Sequence, residues 1–353
     1  MTTAQTTADT AGGQVDPPSL GWRGAARLWA VVVVFIGVGI ARSVAIGIPF
    51  RDPHGAYLLT RVGLTVAIFA GLVLLDGFVR CGRPRSVRST LTAVRRRWTP
   101  RRLALAWAAL LAYHLTYFTY HNLKSWDVFN PPRDAMLSAW DRWLFFGHSP
   151  AVLLHDLLGQ HVAAWVLMVW YETFPTLVVV AFPAAVALAP RMRDAYVGIA
   201  AFVWVWILGT ATYYAIPSLG PFHEAPVEFA GLPHMPIQDT QAEYLAQRDN
   251  LLAHPHAPDA FAQISAFASL HVAVTATILG LAWWHGLRRT TIAVAVFLAG
   301  TCIATVYLGW HFAVDIPAGL LIAALGWLLA PLTVGVRGRP GTRPRGHGTL
   351  PPG

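Results

Sequence analysis

Two short segments hold side chains whose types and spacing suit chemistry: Phe267-Ala-Ser269-Leu-His271 and Tyr307-Leu-Gly309-Trp-His311-Phe-Ala-Val-Asp315-Ile-Pro-Ala-Gly319. In a helix, residues i and i+4 share a face, so Asp315 can accept a hydrogen bond from one ring nitrogen of His311. The other nitrogen then keeps its lone pair for attack, as an imidazole nucleophile requires. His271, met across a helix bundle, can protonate a departing oxygen. Two histidines and one carboxylate suit phosphoryl transfer through a phosphohistidine. Taken alone, the same groups also fit satisfied polar ties between helices, and their spacing identifies no substrate.

Apolar spans must position these residues. The 353-residue chain is 55% hydrophobic and 12% charged, with 15 Trp and 17 Phe. Soluble domains carry about 25% charge, and disordered chains have low hydrophobicity, so the chain reads as a polytopic membrane protein. A helix crosses the hydrocarbon in about 20 apolar residues. Eight stretches supply that length: 28–46, 57–79, 103–120, 162–188, 195–216, 264–285, 290–308 and 312–334. Both chemical segments fall where a span meets one surface, where water and a histidine partner lower the cost of an ionised Asp315. At mid-bilayer that cost is at least about 2.5 kcal/mol. Glu172 falls inside the fourth span, beside Pro175 and Pro183, which predict kinks. It is expected to form a structural tie to His114 or a tyrosine.

The net charge of +9 encodes orientation. Nine arginines lie in 80–102 with no acid among them, and short basic loops stay in the cytoplasm. That placement also puts Arg23, Arg27, Arg191, Arg193, Arg288, Arg289 and the arginines of 337–345 inside, 19 of 26 cationic residues in all. It predicts an even number of spans, both termini cytoplasmic, and His271, His311 and Asp315 on the outer side. A nucleic-acid partner is excluded, because topology already accounts for the basic charge. The outer loops keep only Arg51, Lys124, Arg133, Arg142 and Arg248. Cys81 and Cys302 can form neither a disulfide framework nor a zinc site. His223, His234, His254 and His256 fit no compact ligand spacing, so no metal is expected. Residues 135–146 have an apolar face with Asp141 and Arg142 opposite, as in a helix lying in the interface.

Ser269-Leu-His271 and Gly309-Trp-His311-Phe-Ala-Val-Asp315 resemble the second and third signature motifs of the type 2 phosphatidic acid phosphatase superfamily. The likeness is greater to its branch of inositol phosphorylceramide and sphingomyelin synthases. The stretch 137–150, with Asp141 and Phe145-Phe-Gly-His-Ser-Pro150, resembles the segment preceding the core in that branch. Tyr214-Ala-Ile-Pro-Ser-Leu-Gly-Pro221 stands where the first motif belongs. The resemblance covers roughly 103–334 and implies a six-helix core; with the two apolar stretches before it, the chain reads as an all-α, polytopic transmembrane bundle of about eight spans. In it, residues 103–335 form a six-span catalytic core joined by an interfacial helix. Residues 23–102 then form a two-span extension with a basic cytoplasmic loop, while 1–22 and 336–353 read as disordered tails.

By this resemblance His311 attacks phosphorus, Asp315 orients it, and His271 acts as general acid and then activates the acceptor, with no cofactor. The expected partners are a lipid phosphate or phospholipid, an alcohol or glycan acceptor, and the bilayer of the cell membrane. The phosphatase branch carries a lysine and an arginine-proline pair in its first motif, and an arginine six residues before the third-motif histidine. Here 217–221 contain no cation, and Thr305 takes the arginine position. A transferring phosphoryl group needs donors for its three oxygens. The candidates are Lys124 first, then Arg248, Tyr213 or Tyr214, His223 and the Ser269 hydroxyl. The missing cations favour a transferase over a simple phosphatase.

Overall fold

The computed structural model describes residues 22–82 and 85–335, so the two predicted tails lie outside the described residues, Trp22 excepted. No strand occurs among them. In chain order the helices are α1 (Trp22–Ile46), α2 (Leu59–Arg80), α3 (Val87–Arg97), α4 (Pro100–Trp126), α5 (Asp134–Leu144), α6 (Pro150–Leu158) and α7 (Val162–Glu172). There follow α8 (Phe174–Ala187), α9 (Met192–Ala215), α10 (Pro221–Glu224), α11 (Pro236–Ala253), α12 (Leu270–Trp284), α13 (Arg288–Tyr307) and α14 (Asp315–Val334).

Six helical segments are long and apolar enough to cross a membrane: α1, the stretch Pro53–Arg80 containing α2, the α7–α8 pair, α9, α13 and α14. The other two predicted spans correspond to α4 and α12. α4 is 27 residues long but carries His114, His121, Asn122 and Lys124 among its apolar residues. α12 begins six residues later than the hydropathy pattern predicts, because 264–269 is extended. The backbone N–H groups there bond outside the segment: Ala266 to the Ser218 carbonyl at 2.8 Å, Phe267 to the Ser218 hydroxyl at 3.1 Å, and Ala268 to the Thr212 hydroxyl at 3.1 Å. Ser269 then caps α12, accepting from the Val272 N–H at 3.4 Å. A capping serine starts a helix by taking one of the four donors its first turn leaves orphaned.

α9 is the centre of the bundle. It is apolar on every side and packs against α4, α8, α12 and α14, the pattern of a helix with no lipid-facing stripe. At one end of the bundle Arg97 donates to the carbonyls of Ala187 and Ala189 at 3.3 and 2.9 Å, and Arg102 to those of Ala189 and Pro190 at 2.7 and 3.2 Å. These guanidinium groups cap the carbonyl end of α8, where the helix dipole is negative. Asp76 on α2 holds Arg80 at 2.8 Å and Arg97 at 3.4 Å. The arginine-rich segments around α2, α3, α4 and the α8–α9 turn thus meet at one pole. At the opposite pole the Arg51 backbone N–H donates to Asn122 Oδ1 at 2.7 Å, and its guanidinium reaches the carbonyls of Pro255, at 2.8 Å, and Ala260. The first two helices are thereby fastened to the loop that leads into α12.

Candidate active site

The late start of α12 places His271 in its first turn. The His271 ring stacks on Tyr171, with centroids 4.4 Å apart and planes at 29°, and meets Phe174 at 4.3 Å. Both aromatic residues flank the break between α7 and α8 at Thr173. Pro175 sits in the first turn of α8, where its missing N–H costs nothing. The disturbance predicted from the prolines is a one-residue break at Thr173, whose backbone stays in the helical region, and Glu172 beside it lines the same cavity as His271. Glu172 is no structural tie: His114 Nε2 is bonded instead to the Thr65 hydroxyl at 2.9 Å, and Glu172 lines a cavity.

His311 and Asp315 meet, but not on a helix as their spacing predicts. α13 ends at Tyr307 and α14 begins at Asp315, so His311 lies in the turn between them. His311 Nδ1 is 3.0 Å from Asp315 Oδ2, and the same oxygen accepts from the Phe312 N–H at 3.2 Å. The turn is anchored behind by the His311 N–H, which donates to the Thr305 carbonyl at 3.1 Å. Asp315 is fully buried, and a hydrogen bond from the Ser269 N–H to its carbonyl, at 3.3 Å, ties the turn to the cap of α12. α12 and α14 approach closely at Gly319, where a Cβ would lie 2.5 Å from the Ser269 carbonyl oxygen. The His271 and His311 rings face each other with centroids 5.7 Å apart and planes at 64°. With Nδ1 turned to Asp315, His311 Nε2 is left without a hydrogen bond and available to a substrate.

Both histidines line a cavity of about 240 Å³ together with Lys124, His121, Glu172, Tyr213 and Tyr244. Lys124 is the one lysine or arginine among its described lining residues, and its Nζ lies 5.9 Å from the Tyr213 ring centroid. Tyr213 and Tyr120 approach each other, hydroxyl to hydroxyl, at 3.5 Å. Just beyond α4, burial raises the Asp127 carboxyl to about 6 against the opposing pull of Asn130, Ser265 and Lys124. The Ser265 hydroxyl donates to Asp127 Oδ2 at 2.9 Å. Burial also pushes the Tyr244 phenol up to about 12, so it is a hydrogen-bond donor at neutral pH.

The remaining sequence candidates lie elsewhere. The Tyr214 hydroxyl donates to the Leu123 carbonyl at 2.8 Å, and the Arg42 guanidinium lies 5.6 Å from its ring centroid. Arg248 faces Asp249 at 3.6 Å on α11, and His223 sits on α10; neither lines the cavity. The Ser269 hydroxyl is occupied as the α12 cap. Among the described residues no group of three or more His, Cys, Asp or Glu side chains is close enough to hold a metal ion.

α5, read from the sequence as a helix lying in the interface, exposes Arg142 as expected but turns Asp141 inward. Asp134, Leu137 and Asp141 are its buried residues, whereas Trp140, Trp143 and Leu144 are exposed, as are Phe145 and Phe146 just after it. Asp141 accepts from the N–H groups of Ala313 and Val314 at 2.8 and 2.9 Å, inside the His311–Asp315 turn. Asp134 accepts from those of Leu219 and Gly220 at 2.9 and 2.8 Å. Burial, the larger effect, raises both carboxyls despite these donors, Asp141 to about 6. The two gripped loops touch: the Phe222 N–H donates to the Gly309 carbonyl at 3.0 Å, and Gly220, at φ 109°, lies where a Cβ would be 2.8 Å from the Trp310 carbonyl oxygen. Such a φ favours glycine over any L side chain. Asp134 drew no attention from the sequence, although its spacing of seven from Asp141 places both on one helical face. Tyr171 adjoins Glu172, which the sequence did single out, but its stacking on His271 had no signal of its own; His121 lies near no recognisable motif.

Across residues 135–329 the chain matches the model of the PAP2 superfamily. The chain belongs to the PAP2 superfamily. The matched region contains the catalytic candidates His271, His311 and Asp315, and Asp141 besides; Lys124, His121 and all of α1–α4 precede it. No curated protein and no solved structure matches the chain. Membership of the superfamily, with the six apolar helices, supports an integral-membrane enzyme of phosphatase or phosphotransferase type acting on a lipid phosphate.

Proposed function

We propose that this protein moves a phosphate or phospho-headgroup from a lipid to an alcohol acceptor through a phosphohistidine on His311. The observation that carries the reading is the contact of His311 Nδ1 with Asp315 at 3.0 Å, with His271 opposite. Asp315 holds the Nδ1–H tautomer, so Nε2 presents its lone pair to phosphorus. As the Nε2–P bond forms, the P–O bond to the lipid breaks, and His271 gives its proton to the departing oxygen. In the second half His271 takes a proton from the acceptor hydroxyl, the acceptor oxygen bonds to phosphorus, and the N–P bond breaks. The Lys124 ammonium and the hydroxyls of Tyr213 and Tyr244 are among the donors that line the cavity and can serve the phosphoryl oxygens. Residues 103–335 are the catalytic core in this reading. The arginine pole faces the cytoplasm and the cavity faces the exterior of the cell membrane, with both termini inside.

Hydrolysis is the same chemistry with water as acceptor. The absence of cations in 217–221 and at Thr305 favours transfer, as in the synthase branch that the motifs resemble. Purified protein given a labelled phospholipid, with and without candidate alcohols, separates the two. Labelled product that forms only when an acceptor is added is the expected result. Free phosphate or phospho-headgroup released at the same rate in its absence makes the protein a hydrolase.

A further inference from the structure

We propose that Asp134 and Asp141 are positioning residues for the reaction: their carboxylates make α5 a clamp that sets the direction of His311 Nε2. The proposal rests on the phosphohistidine reading. Each carboxylate grips two consecutive backbone N–H groups, Asp141 those of Ala313 and Val314, and Asp134 those of Leu219 and Gly220. Two adjacent N–H groups pointing at one carboxylate fix the peptide planes that join them. In the 311–315 turn those planes decide where the His311 ring lies relative to Asp315.

A pure packing role fits this arrangement poorly. Buried carboxylates are costly to retain unless their geometry is needed, and α5 already has Leu137 between them to fill the interface. The donors served are also not spread over the loops. They are the two N–H groups directly before Asp315 in one loop, and in the other a pair ending at Gly220, whose backbone abuts the Trp310 carbonyl. One rigid helix therefore holds both loops in register, seven residues apart along its axis, about two turns. Neither carboxylate lines the 240 Å³ cavity, so neither touches substrate there; the pocket that Asp141 shares with His311 is about 20 Å³, room for little more than a water, and each carboxylate acts through backbone.

Asp141→Asn is the decisive variant. The amide keeps the shape, but its oxygen can serve one N–H while its NH2 group opposes the other. With phosphatidic acid in mixed micelles and a saturating alcohol acceptor as probe, kcat should fall at least ~10-fold while KM for the lipid stays within ~2-fold, because ground-state binding is untouched. At Asp134 a single oxygen, Oδ1, accepts from both N–H groups, so Asp134→Ala, which removes the acceptor, is the second variant; it should act in the same direction from the other loop, and it keeps the test open if Asp141→Asn fails to fold. Combined with Asp315→Asn, the losses should not add, since Asp141 works through the turn that Asp315 closes. Deuterium exchange in the peptide spanning 309–316 should quicken in Asp141→Asn and remain unchanged in regions distant from both loops. A variant with lowered melting temperature but wild-type kcat, or with KM rising while kcat holds, overturns the positioning role. The two readings fail separately. Turnover that survives His311→Ala removes the phosphohistidine, whereas unchanged exchange at 309–316 removes the clamp whatever the chemistry is.

Discussion

At the scale of single residues, the account depends on carboxyl groups held in poorly solvated surroundings, and these have a measurable consequence. The Asp127 carboxyl is raised by burial from 3.8 to about 6. The folded state therefore holds a proton there that the unfolded chain has released, over the window from about pH 4 to 6. Stability rises as pH falls through that window, and above pH 6 the ionised group is a full burden on the fold. Asp127→Asn imitates the neutral form while keeping an oxygen for the Ser265 hydroxyl. It should raise the melting temperature relative to the native protein at pH 7, with the advantage shrinking by pH 5. An equal difference at both pH values would contradict the assignment. The partnership of His311 with Asp315 was legible from a spacing of four, although a turn, not a helix, makes the contact. Lys124 stood out because outer-side cations are few. Arg248, Tyr214 and His223 were candidates by their place in the sequence but do not line the cavity, because place in the chain says nothing about the direction of a side chain.

At the scale of elements, the site depends on how closely α12 and α14 approach, since one carries His271 and the other begins at Asp315. Gly319→Ala puts a methyl 2.5 Å from the Ser269 carbonyl oxygen, backbone that has little freedom to yield. Overpacking of this kind costs about 1–3 kcal/mol. The variant should therefore melt at lower temperature and turn over more slowly, as the two histidines move apart. A variant that loses neither stability nor rate would show that the helices tolerate a wider spacing. Hydropathy located both helices but misplaced the start of α12. Residues 264–269 are apolar enough to extend the helix, and distant partners, among them Ser218, Thr212, Asp127 and Asp315, hold them out of it. The direction of Asp141 on α5 was misjudged for a related reason: an isolated amphipathic helix is expected to turn its charges to water, whereas here its aspartates face backbone donors that no local pattern reveals. Its exposed Trp143 and Phe146 then form the outward surface.

At the scale of the whole molecule, Arg80, Arg97 and Arg102 gather at one pole, and the histidine cavity lies toward the other, near Asn122 and Arg51. α1 and α2 precede the region matched to the PAP2 superfamily, yet Arg51 fastens them to the Pro255 and Ala260 carbonyls on the approach to α12. Tyr57 stacks on Phe261 at 5.1 Å and lies 4.2 Å from the His121 ring, beside the cavity. No periodicity in the sequence announces such contacts across 200 residues. The central claim, that phosphate passes through His311, is tested most directly by trapping the intermediate. Without an acceptor the second half-reaction stalls while His271 still assists the first, so a brief reaction of the native protein with phosphate-labelled lipid in detergent should leave acid-labile, base-stable label on the peptide containing His311. The account predicts that this label is absent when His311 is replaced by alanine. Label on another residue, or label that persists without His311, would contradict it.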